Sequence, residues 1–122
     1  MGDKTVCVID DELSVRQSTE ALIRSMGLRA RMYESAEDFL LRGIGEPCDC
    51  VVCDIRMGPM SGLALLAYLR RTGHLAPFIF VTAHAAPSVL MEAARKGALC
   101  VLEKPIDPEE LASWLIRAIQ AP

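Results

Sequence analysis

Five times along this 122-residue chain, a short strand-like run is followed by a stretch with helical spacing. The runs are Thr5–Ile9, Arg29–Tyr33, Cys50–Cys53, Phe78–Val81 and Leu99–Leu102. Most are apolar at consecutive positions rather than at alternate ones, as expected of strands covered on both faces. Arg29–Tyr33 is less apolar and belongs nearer an edge. Between the runs, Leu13–Met26 carries Val15, Ala21, Leu22, Ile23 and Met26 at helical spacing and stops at Gly27. Ser35 is a helix N-cap with Asp38 three residues on, ahead of Phe39-Leu-Leu41, and Gly43 and Gly45 end that helix. Gly62–Arg71 places Leu63, Leu66, Ala67 and Leu69 on its apolar side, after a loop over 55–61 that contains Gly58 and Pro59. A fourth helix spans Pro87–Lys96 and ends at Gly97. Asp107 caps the last helix, Pro108–Ile119, which puts Leu111, Trp114, Leu115 and Ala118 on one face.

Alternating strand and helix imply a parallel sheet with helices on both faces. The length suits one domain over residues 1–122, and an apolar fraction of 52% can fill its core. For five strands the expected order is 2-1-3-4-5, the flavodoxin-like doubly wound arrangement, whose ligand crevice opens between strands one and three. Those two strands end in Asp10-Asp11 and in Asp54. Strand four ends in Thr82 and strand five in Glu103-Lys104. Residues far apart in sequence therefore converge at the carboxyl edge of the sheet. Three clustered carboxylates repel one another and need a cation. Lys104 is one candidate, and a hard divalent ion such as Mg²⁺ or Mn²⁺ is another. An aspartate carboxylate can also act as a nucleophile that takes up a phosphoryl group, and a lysine and a hydroxyl suit the oxygens of that group. Each residue also has a plainer reading: Asp10-Asp11 as a helix cap, Asp54 as a turn residue, Lys104 as a solvated loop lysine.

Other functions are disfavoured. A net charge of −3 argues against nucleic-acid binding by this segment. No apolar run approaches the roughly 20 residues of a membrane span, and Met1-Gly2-Asp3-Lys4 is not a signal peptide, so a cytoplasmic location is expected. Gly2 suits N-myristoylation, but position 6 is Val6 rather than Ser or Thr. Five cysteines, an odd number, do not suggest a disulfide framework. Within Cys48-Asp-Cys50-Val-Val-Cys53 a strand sends Cys50 and Cys53 to opposite faces, which argues against a metal cluster. No phosphate-binding Gly-x-x-x-x-Gly-Lys-[Ser/Thr] loop is present.

The chain resembles a bacterial response-regulator receiver domain over essentially its whole length. The resemblance rests on Val8-Ile-Asp-Asp11, Cys53-Asp-Ile-Arg-Met57, Met60-Ser-Gly-Leu63, Val81-Thr-Ala-His84, Lys96-Gly-Ala98 and Glu103-Lys-Pro105 taken together. It is most like the FixJ-type receivers that precede LuxR-type DNA-binding domains. The resemblance implies a CheY-like fold and a phosphorelay role rather than an enzyme's turnover of an external substrate. It implies that Asp54 accepts a phosphoryl group from a sensor histidine kinase. Asp10, Asp11, Asp54 and the backbone carbonyl of Arg56 would hold magnesium. Thr82 and Lys104 would bind the phosphoryl oxygens, Pro105 would follow a cis peptide bond, and Arg56 and His84 would tune hydrolysis of the aspartyl phosphate. It further implies a homodimer through the face built by helix four, strand five and helix five, and contact with DNA only through a separate output domain. Two positions depart from the pattern. Receivers of this type usually read Met-Pro-Gly-Met where this chain has Met57-Gly58-Pro59-Met60, and Val101 stands where an aromatic switch residue is common. Two rivals follow from these residues. A phosphatase with an aspartate nucleophile would want Asp-x-Asp after strand one, whereas the acids here are adjacent. A pseudo-receiver would keep the fold and switch without phosphate.

Overall fold

In the computed structural model, which describes residues 3–120, the strands pair side by side in one parallel sheet of order β2-β1-β3-β4-β5. Gly2, the acceptor of the discarded myristoylation reading, lies outside the described residues. The elements are β1 (Thr5–Ile9), α1 (Leu13–Ser25), β2 (Arg29–Tyr33), α2 (Ala36–Arg42), β3 (Cys50–Asp54), α3 (Gly62–Arg71), β4 (Phe78–Thr82), α4 (Pro87–Arg95), β5 (Cys100–Glu103) and α5 (Pro108–Gln120). The less apolar β2 is an edge strand, as its composition requires, and only Tyr33 in it is buried. Met26 falls at the C-cap of α1 rather than within it, and strand five begins one residue later than expected, with Leu99 outside it and partly exposed.

The sheet divides the core in two because neighbouring strand residues face opposite ways. Cys7 and Ile9 of β1, with Val51 and Cys53 of β3, pack with Phe39 of α2, with Leu65, Leu66 and Leu69 of α3, and with Ala93 of α4. Val6 and Val8, with Cys50 and Val52, pack with Ile23 of α1 and with Leu111 and Leu115 of α5. Cys50 and Cys53 thus lie on opposite faces, and each is free and buried. Each fully buried large side chain contributes roughly 1.5–3 kcal/mol relative to an exposed one. Helix faces differ in detail from the periodicity: Ala21 is exposed, while Leu65, outside the expected stripe, is fully buried.

Capping follows the sequence closely for α2 and α5. Ser35 Oγ accepts from Asp38 N at 3.0 Å, and Asp107 Oδ1 accepts from Glu109 N at 2.9 Å. Ser61 caps α3 in the same way, accepting from Ala64 N at 3.1 Å. The first residue of α3, Gly62, is pressed against the end of β3, with its N–H donating to Ile55 O at 2.8 Å. A Cβ there would run into the carbonyl oxygen of Asp54 and come within 2.9 Å of the Phe80 ring, so only glycine fits. The loop before it accommodates the displaced proline through Gly58, which takes φ +47° immediately ahead of Pro59. Met57 is buried, and Met60 N donates to Glu37 Oε2 at 3.1 Å, which ties the loop to α2.

Candidate functional site

The carboxyl ends of β1, β3, β4 and β5 meet around a pocket of about 290 Å³. Asp11, Glu12, Asp54, Arg56, Thr82, Ala83, His84 and Lys104 line it. Asp10 lies beneath, 1% exposed, because its N–H donates to Tyr33 O at 3.1 Å and so continues the β1–β2 pairing past Ile9. Asp11, one residue on, has left the sheet and is exposed. Asp10 Oδ1 accepts from Glu12 N at 2.9 Å. The N-cap position of α1 is nevertheless Glu12, whose side chain makes no capping bond, so the plainer reading of Asp10-Asp11 as a helix cap does not hold.

Lys104 reaches this cluster from the end of β5. Its backbone N–H donates to Thr82 O at 2.8 Å, extending the β4–β5 pairing, and the Lys104–Pro105 peptide is cis. The ammonium lies 3.1 Å from Asp54 Oδ2, 3.1 Å from Asp10 Oδ2 and 2.7 Å from Glu12 Oε1. The Asp10 contact is an ion pair without hydrogen-bond geometry, so Asp10 Oδ2 is a buried oxygen with no hydrogen-bond partner. Burial lifts the pKa of Asp10 above the ordinary carboxylate value; the Glu12 N–H offsets this in part, and the charge of Asp54 adds to it. Burial likewise lifts Asp54, against the hydrogen bond and charge of Lys104 and the N–H of Arg56, which donates to Asp54 Oδ1 at 3.1 Å. For Lys104, burial opposes the charge, but hydrogen bonds to Glu12 and Asp54 outweigh it and hold the ammonium above the usual lysine value. The cluster is therefore short of positive charge, and one lysine serves three acids.

Among the described residues, the group suited to a metal ion is Asp10, Asp11, Glu12 and Asp54, with one oxygen of each within 4.8 Å of the others. Hard oxygen donors, a buried carboxylate oxygen without a hydrogen bond and an open pocket beside them fit a magnesium-like ion. Thr82 is buried, and its hydroxyl has only two long contacts, 3.4 Å to the N and 3.4 Å to the O of His84, too weak to commit it. His84 and Arg56 are exposed at the pocket's rim. Val101 is not at the pocket. It is half-buried on β5, in register with Phe80, and packs into the core on the α3 side.

Two residues escaped the sequence reading. Glu12 gives Lys104 its shortest contact. Arg16 on α1, its side chain only 12% exposed, donates from Nη1 to the carbonyl oxygen of Asp10 at 2.7 Å and lies 3.7 Å from Glu34 Oε1. The signal for Arg16 was a cation near a helix N-terminus, where the dipole disfavours it unless a tertiary contact compensates.

The model of the response regulator receiver domain family matches residues 6–116. The chain belongs to the response-regulator receiver family. The transcriptional regulatory protein TdiR of Thauera aromatica is 42% identical over 107 residues, covering 88% of this receiver and 47% of TdiR. The response regulator protein TmoT of Ectopseudomonas mendocina is 31% identical over 119 residues, covering 97% of the receiver and 54% of TmoT. The receiver thus spans about half the length of these relatives. The crystal structure of FixJ-N superposes with a TM-score of 0.88 at 33% identity, covering 100% of this chain and 98% of that one. The receiver is a module of two-component signalling, and its sheet order is that of the CheY-like fold. Among the described residues, no helix is long and apolar enough to cross a membrane.

Proposed function

We propose that Asp54 is the phosphoacceptor of this receiver. The observation that carries the reading is the Asp54 carboxylate at the pocket, 5% exposed, with Lys104 Nζ at 3.1 Å and the loosely held Thr82 hydroxyl lining the same space. An Asp54 oxygen forms the new O–P bond as the P–N bond of a kinase phosphohistidine breaks, and the released imidazole takes up a proton. Lys104 and Thr82 receive the phosphoryl oxygens. Asp10, Asp11, Asp54 and the Arg56 carbonyl would hold Mg²⁺ or Mn²⁺. When bound, that ion supplies the positive charge that lets an anionic donor approach the carboxylates. The chain is itself the acceptor in this reaction, so its chemistry is limited to its own phosphorylation and dephosphorylation. His84 and Arg56 at the rim are positioned to tune water access to the aspartyl phosphate.

The reading extends to partners. A sensor histidine kinase is the donor, in the cytoplasm, and residues 1–122 act as one receiver domain. Contact with DNA belongs to a separate output domain, and TdiR, named a transcriptional regulatory protein and about half covered by this receiver, supports that assignment. Leu90 and Met91 on α4, Leu99 ahead of β5 and Ile116 on α5 are exposed, which supports a homodimer through that face. The test is intact mass after incubation with acetyl phosphate, with and without magnesium, for wild type and Asp54→Asn. One phosphoryl group added only with magnesium, and absent from the variant, is the expected result. A wild type that takes up none under any metal condition overturns the reading in favour of a pseudo-receiver.

A further inference from the structure

The N-cap of a helix usually holds Ser, Thr, Asp or Asn, whose short side chains reach the free amides of the first turn. Glu12 holds that place in α1 and caps nothing. Its carboxylate crosses instead to Lys104 at 2.7 Å, closer than either Asp10 or Asp54 at 3.1 Å. The three contacts are of different kinds. Asp10 and Asp54 have side chains 1% and 7% exposed and sit at strand ends, whereas the Glu12 side chain is 57% exposed. An ammonium has three protons to give; here Glu12 and Asp54 accept hydrogen bonds from it, and Asp10 lies beside it as an ion pair. A phosphoryl group entering the pocket needs some of those protons for its own oxygens. Only the Glu12 contact can be released without stranding a buried charge, since its carboxylate returns to water.

We propose that Glu12 is a positioning residue that acts through Lys104: it holds the ammonium at the pocket rim and competes with the incoming phosphoryl oxygens for it, which slows loading of Asp54. This rests on Asp54 as the phosphoacceptor. Releasing Glu12 is part of the loading step, so the pair sets how readily the receiver responds to a given donor. Because the Glu12 side of the pair faces solvent, its effect weakens as salt rises.

The test has two arms. In the first, loading by acetyl phosphate with magnesium is timed for wild type, Glu12→Gln, Lys104→Gln and the double variant. Glu12→Gln should load about two- to fivefold faster, the range that an exposed ion pair provides. With magnesium saturating for every variant, the same change in the Lys104→Gln background should leave the rate unaltered. An equal gain in both backgrounds overturns the proposal, because Glu12 would then act only by repelling the donor. So does no gain in the single variant. In the second arm, exchange of the Lys104 ammonium protons with water is followed by ¹⁵N NMR in metal-free, unphosphorylated protein. It should quicken in Glu12→Gln, and unchanged exchange overturns the proposal even where the lysine variants load too slowly to time. A wild type that never loads defeats the phosphoacceptor reading, whereas a loading wild type with an indifferent Glu12→Gln defeats only this inference.

Discussion

Asp10→Asn should make the metal-free protein more stable and the magnesium-loaded protein relatively less so. Asp10 is 1% exposed, its Oδ2 lacks a hydrogen bond, and it shares one lysine with Asp54 and Glu12. Burial and the charge of Asp54 both disfavour an ionised carboxylate at this position. The amide keeps an oxygen to accept from Glu12 N and sheds the charge that repels Asp54. The loss is one ion pair to Lys104, which keeps its two others. The expected net gain in unfolding free energy without metal is about 0.5–2 kcal/mol. Magnesium at about 100 times its dissociation constant adds about 2.7 kcal/mol to wild type and little to a variant lacking a ligand, so the order inverts. Urea titrations followed by fluorescence of Trp114, the single tryptophan, with chelator and with magnesium, measure both differences. The pH dependence has a definite sign. Burial raises the folded-state values of Asp10 and Asp54, so the stability these groups contribute is fully present below the unfolded carboxylate value near pH 4. It is lost as pH rises through the folded values. Without metal, the advantage of Asp10→Asn should be largest at neutral pH and shrink toward about pH 4. A variant less stable than wild type in chelator would refute the reasoning, since the Lys104 pair would then outweigh the cost of the buried charge.

Gly62→Ala should destabilise by about 1–3 kcal/mol in the same titration, because the added methyl meets the Asp54 carbonyl and the Phe80 ring; it should also slow loading of Asp54, and a neutral change would mean that α3 can retreat freely. Arg16→Ala should weaken magnesium binding, measured as the shift in urea midpoint on adding metal, by freeing the Asp10 carbonyl. Arg16→Lys should not restore it fully, because a point charge cannot reproduce the guanidinium's contacts to both Asp10 and Glu34. Phe39→Ala should cost about 3–5 kcal/mol, since its ring is fully buried and packs edge-on against Tyr33 with centroids 5.1 Å apart.

Much of the molecule was legible from residue order. Each of the ten elements follows from a local signal: apolar runs for strands, Ser35 and Asp107 as caps, glycines after helices. The strand order was expected from the flavodoxin-like arrangement common to five alternating strand–helix units, and the pairing bears it out. Asp10, Asp11, Asp54, Thr82 and Lys104 could be grouped because each sits at or just past the carboxyl end of a strand, a position readable from the sequence once the strands are. Helix faces were less legible. Leu65 is buried and Ala21 exposed because the width of a buried stripe depends on which neighbours flank the helix, not on its own period.

What the sequence by itself determined is the set of elements and the strand ends at which the acids, the threonine and the lysine stand, because strand ends and side-chain alternation are local properties of the backbone. Tertiary structure alone decided how those groups divide the available charge. It buries Asp10 and exposes its neighbour Asp11, since only Asp10 extends the pairing with β2. It turns Glu12 away from its own helix toward Lys104 and brings Arg16 to the Asp10 carbonyl. Long, flexible side chains find partners in space rather than in sequence, and buried charges must be balanced by whatever the fold brings within reach.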